Sequence, residues 1–138
     1  MRNLQAAGLC VVVACLGCAW PAAAAGKYDG KAPMLCAVTA INECTADGTC
    51  ERSAPQEGNN LPTFLRVDVG AKTVSADDGS GRKTEIKASN AVDGQLMLQG
   101  IENGKAWNMV IKSDTGRWGG SVVEDDGSFA LFGACTLP

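Results

Sequence analysis

Residue types that support catalysis are scarce in this chain, and the most informative of them is missing. The sequence contains no histidine, which excludes Ser-His-Asp and Cys-His pairs, imidazole metal sites and imidazole pH switches. Serines Ser75, Ser80, Ser89, Ser113, Ser121 and Ser128 stand in strand or turn contexts, with no G-x-S-x-G elbow. The acidic clusters Asp77-Asp78 and Glu124-Asp125-Asp126 could supply paired carboxylates for glycoside chemistry or oxygens for calcium. Both precede or include an Asp-Gly dipeptide and neither has the spacing of a calcium loop, so turn formation explains them better. An enzyme built on this chain would have to work through carboxylates or Tyr28. The glycine-rich Thr115-Gly116-Arg117-Trp118-Gly119-Gly120 lacks the Lys-Ser/Thr and the following helix that a phosphate loop requires. No cofactor or metal is implied, and the sequence points away from an enzyme.

Two segments are candidate binding surfaces. If the glycine-rich piece lies at a rim, Arg117 and Trp118 make a contact pair, because arginine and aromatic side chains dominate interface energetics. The competing placement puts Trp118 in the core and Arg117 in water. The longest polar stretch, Ser53 to Pro62, carries Asn59 and Asn60 and is followed by Phe64 and Arg66. Long loops on a rigid frame often hold binding residues.

The cysteines report the compartment. The chain opens with Met1-Arg2-Asn3, an apolar run from Leu4 to Trp20, Pro21, and small residues at Ala23 and Ala25. This is the pattern of a secretory signal peptide over residues 1–25, cleaved before Gly26 to leave one domain, 26–138. The run is shorter than the ~20 residues of a membrane span. Val12-Val13-Ala14-Cys15 also fits a bacterial lipid-anchor pattern, a lesser alternative. Of seven cysteines, Cys36, Cys44, Cys50 and Cys135 lie beyond residue 25, an even set that reads as two disulfides in an exported domain. Gaps of 7, 5 and 84 residues between them do not suit a four-thiolate zinc site. The expected location is periplasmic or secreted. With Arg2 gone, 11 basic residues face 15 acidic ones, a balance that argues against binding nucleic-acid phosphates.

What must position these residues is a series of short strands. Turn dipeptides recur at Asp78-Gly79, Asp93-Gly94, Asn103-Gly104, Thr115-Gly116 and Asp126-Gly127, from Asp93 onward about every eleven residues, the interval of a strand plus a hairpin turn. Between them lie β-type runs at Thr63 to Val69, Lys72 to Ala76, Arg82 to Ser89, Gln95 to Glu102, Lys105 to Ser113, Arg117 to Glu124 and Ser128 to Cys135. Several alternate with period two, so Leu65, Val67 and Val69 should share an inner face, as should Trp107, Met109 and Ile111. Lys31 to Cys44 leans towards strand through Val38, Thr39 and Ile41. No run has a helical period flanked by caps. About eight antiparallel strands result. The expected fold is an all-β up-and-down barrel, with a two-sheet sandwich as the alternative. Closure would bring the first and last strands together, which favours Cys36–Cys135, and leaves Cys44–Cys50 to join across its own turn.

Three stretches together resemble a group of small exported proteobacterial proteins without assigned activity. They are Asn60 to Asp68 (NLPTFLRVD), Leu98 to Gly104 (LQGIENG) with Trp107, and Phe132 to Thr136 (FGACT). The resemblance implies a bacterial envelope address and no catalytic or ligand residues. The architecture is also similar to lipocalin-type barrels and to periplasmic inhibitors of lysozymes and proteases. The Gly-x-Trp usual in lipocalins is absent, the sequence here reading Gly26-Lys27-Tyr28-Asp29-Gly30.

These features lead to a non-enzymatic, monomeric binding module that contacts or inhibits another envelope protein. The alternative is a carrier holding a small apolar ligand among Leu96, Leu98, Trp107, Met109 and Phe129. Gly100 and Gly133, at strand positions, would leave room for such a ligand.

Overall fold

The structure, a computed structural model, describes residues 26–55 and 61–138. The expected signal peptide, with Cys15, lies outside the described residues. Nine strands and no helix occur among those residues: β1 (Met34–Thr45), β2 (Cys50–Ser53), β3 (Phe64–Asp68), β4 (Thr73–Ala76), β5 (Lys83–Val92), β6 (Gln95–Glu102), β7 (Lys105–Lys112), β8 (Arg117–Val123) and β9 (Gly127–Thr136).

From β3 to β9 each strand pairs antiparallel with the next, and β9 returns to pair with β1, whose first half also pairs with β3. Eight strands therefore close a barrel. The ninth, β2, lies outside it against the later half of β1. The ring of pairings removes the sheet edges that a sandwich would leave. A register shift between Val38 and Ala40 bends β1, and such a bulge sharpens local twist where a strand changes partners.

Turn chemistry explains most of the corners. Asp93-Gly94 and Asn103-Gly104 have positive φ at both positions (51° and 72°, 50° and 80°), as a type I′ hairpin turn requires. Two corners depart from the sequence expectation. Lys72, expected to begin a strand, instead sits in the β3–β4 turn at φ 56°, its N–H donating to the Val69 carbonyl at 3.2 Å. No glycine or asparagine at that position signals the turn. Gly127, expected as a corner glycine, is the first residue of β9, and its carbonyl accepts from the Glu124 N–H at 3.0 Å.

Both disulfides join residues that face each other across a ladder, Cys36 with Cys135 between β1 and β9, and Cys44 with Cys50 between β1 and β2. Two disulfides place the folded chain in an oxidising, extracytoplasmic setting.

The barrel has unlike ends. At the lower end Met34, Val67, Leu96 and Ile111 are buried, and the segment before β1 tucks beneath them. Tyr28, also buried, donates its N–H to the Ser113 carbonyl at 3.0 Å. Its ring lies so close to Gly116 that a Cβ there would come within 2.8 Å of it. Tyr28 thus packs as a plug at the lower end. The upper end carries the β4–β5, β6–β7 and β8–β9 turns and the start of β3, preceded by Leu61 and Pro62.

Candidate functional site

Three members of the acidic clusters have side-chain partners. Asp77 faces Arg66 at 3.3 Å. Asp78 accepts from the Ser80 N–H at 2.9 Å, and its carboxyl is held below the ordinary value chiefly by hydrogen bonding with Ser80. Glu124 lies 2.5 Å from Lys105. Among the described residues no group of three or more Cys, Asp or Glu side chains could hold a metal ion.

A cavity of about 420 Å³ occupies the upper half of the barrel, within the size range of small-molecule sites. Its walls come from inward positions of several strands: Val38 of β1, Val74 of β4, Met109 of β7, and Phe129 and Leu131 of β9. Two tryptophans complete it. Trp107 donates its indole N–H to Thr84 Oγ1 at 3.1 Å, and Trp118 donates to the Ala37 carbonyl at 3.2 Å. Because both indole donors are satisfied by the barrel wall, the rings add apolar surface at no cost in unpaired polar groups.

Each tryptophan is seated on a glycine. Gly100 is the ladder partner of Trp107, and Gly133 that of Trp118. A Cβ at Gly100 would come within 2.3 Å of the Trp107 ring, and one at Gly133 within 2.6 Å of the Trp118 indole nitrogen. Gly100 and Gly133 therefore leave no free room, contrary to the sequence expectation, because the indoles take it. Leu96 and Leu98 are buried but do not line the cavity, whereas Trp107, Met109 and Phe129 do.

Arg117 and Trp118 take the second of the two placements the sequence allows. Arg117 is exposed, while Trp118, its neighbour, points to the opposite face and is only 6% exposed. Alternation along β8 separates them. Phe64 and Arg66 share the outer, solvent-facing side of β3, away from the cavity. Asn59 and Asn60 lie outside the described residues.

No sequence pattern marks the mouth. Arg82, Lys83, Lys105 and Glu102 border the opening, yet each stands beside a turn and carries no motif. Val122 and Leu131 follow from period-two alternation with Trp118 in β8 and with Phe129 in β9, which marks the inward set.

No family model, no curated protein and no solved structure matches this chain.

Proposed function

We propose that this protein is a non-enzymatic carrier, exported to the periplasm or beyond, that takes a small apolar or amphipathic molecule into the upper half of its barrel. One observation carries the reading: a cavity of about 420 Å³, walled mostly by apolar side chains and two fixed indoles, lies at the end opposite the Tyr28 plug. At ~30 Å³ of liquid per water, that space corresponds to on the order of fourteen water-sized groups. The secretory pattern over residues 1–25 and the paired cysteines support the address.

A second reading, contact with another envelope protein, rests on the outer face. Ile101, Ala106 and Val123 stand in one row across β6, β7 and β8, with Ile101 62% and Val123 48% exposed. Exposed apolar groups in a row suit a protein contact.

Native mass spectrometry of protein recovered from a bacterial periplasm, joined to displacement of a solvatochromic dye by lipid extracts, separates the two. A retained mass lost on denaturation, with dye displacement, is the expected result. A bare protein that binds no dye would remove the carrier reading, and a discrete mass shift on mixing with envelope proteins that Ile101→Ser abolishes would establish the second.

A further inference from the structure

Building on the protein-contact reading, we propose that the outer wall formed by β6, β7, β8, β9 and β1 docks a protein partner whose contact surface is apolar and carries carboxylates. Ladder register sets the outward residues of these five strands in rows. One row runs Met97, Val110, Gly119, Phe132 and Ala40, all apolar. Another holds Ile101, Ala106 and Val123, and the row between the two holds Gln99, Asn108 and Ser121. Phe132 is 49% and Met97 37% exposed. With Ile101 and Val123, they put most of the large exposed apolar side chains of the described residues on this one wall, and such clustering marks an interaction surface.

Charge sets the partner's chemistry. Acidic residues outnumber basic ones in the chain, 15 to 12, yet no outward position in these rows is Asp or Glu. Glu43 of β1 and Glu102 of β6 fall in the inward set, opposite Phe129 and Lys105. The wall's charges are Lys112 and Arg117, both exposed, which flank the β7–β8 turn one step beyond the Ile111–Trp118 pair. Neither makes an ion pair among the described residues, and Asp114 in the same turn pairs with neither. On β3 and β5, by contrast, exposed cations meet carboxylates of their own chain, Arg66 with Asp77 and Lys87 with Glu85. A second copy of this wall would bring no carboxylate to Lys112 and Arg117, and the acyl chains of a bilayer would leave the amides of Gln99 and Asn108 short of hydrogen-bond partners. A protein surface with Asp or Glu beside an apolar patch meets the apolar rows, the amide row and the two cations together.

The test uses the full chain in an exporting bacterium, with the photo-crosslinking residue benzoylphenylalanine placed in turn at Phe132, at Met97 and, as a control on another wall, at Ser75. Products are identified by peptide mass spectrometry. The expected result is one protein joined at positions 132 and 97 but not at 75, through a segment that carries Asp or Glu beside apolar residues. Lys112→Glu combined with Arg117→Glu, at exposed positions and with an unchanged melting temperature, should cut the yield about tenfold through like-charge contacts. Exchanging the partner's mapped carboxylates for lysine should restore it. A protein crosslink whose yield the double reversal does not move overturns the acidic partner and leaves the protein-contact reading standing. Phospholipid adducts alone, dimers of this chain alone, or no product at all overturn both.

Discussion

Trp118 and Gly133 face each other across the β8–β9 ladder so closely that the indole occupies the space a side chain at 133 would need. A Cβ at Gly133 would also come within 1.9 Å of the Ala37 carbonyl, the group that accepts the indole N–H. One glycine thus permits both the seating of the ring and the approach of β1 to β9, and Trp107 on Gly100 repeats the device in the nearby β6–β7 ladder.

Gly133→Ala should therefore destabilise the fold by about 1–3 kcal/mol, the usual cost of forcing extra volume into a packed interior. Gly100→Ala, which meets the Trp107 ring and the Glu85 carbonyl, should cost a similar amount. Urea unfolding followed by tryptophan fluorescence measures both. An unchanged midpoint for Gly133→Ala would mean that the ring can leave its seat without penalty.

The two disulfides should differ in weight. Cys36–Cys135 spans 99 residues and Cys44–Cys50 only 6, so the chain-entropy model assigns them about 4.7 and roughly 2 kcal/mol. Thermal melts of the Cys36→Ser/Cys135→Ser and Cys44→Ser/Cys50→Ser variants should show the larger drop for the first pair. The reverse order would show that the long crosslink does not act by restricting the unfolded chain.

Tyr28 closes the lower end, and replacing it should hurt stability more than binding. Tyr28→Ala should lose ~3 kcal/mol, in line with aromatic deletions from cores, whereas Tyr28→Phe keeps the ring and should lose under a third of that. Denaturation of both variants, with dye binding measured beside it, checks the assignment. A collapse of dye binding in Tyr28→Phe would place the phenol in the ligand site instead.

Stability should be flat around neutrality, because no histidine titrates there. Asp29, Asp47 and Asp78 are held below their ordinary 3.8 and Glu85 below 4.5, each chiefly by a side-chain hydrogen bond, from Lys31, Thr45, Ser80 and Lys87 respectively. A depressed folded pKa gives stability that is complete above the unfolded value and lost as pH falls through the folded one. Lys105 is raised above 10.5, chiefly by its hydrogen bond to Glu124, so its contribution is complete below that value and lost as pH rises through the folded pKa. Asp47, Asp78 and Glu85 are exposed and Asp29 and Lys105 are in partial contact with solvent, so each loss is small. Melting temperature against pH should show a plateau with a decline below about pH 4 and another above about pH 10.5. A transition near pH 6 to 7 would contradict this account.

Much of the frame was legible in the residues themselves. Period-two alternation set the inner face of β3 and β7, turn dipeptides marked most corners, and the parity and spacing of four cysteines pointed to both crosslinks, since these depend on local backbone preference and chain order. The cavity in the upper half, the packing of Tyr28 at the lower end and the seating of two indoles on Gly100 and Gly133 were decided only by the tertiary structure. Alternation says that Trp118 faces inward but not what stands across from it. Likewise, a missing side chain is room or a filled seat depending on the neighbouring strand's register.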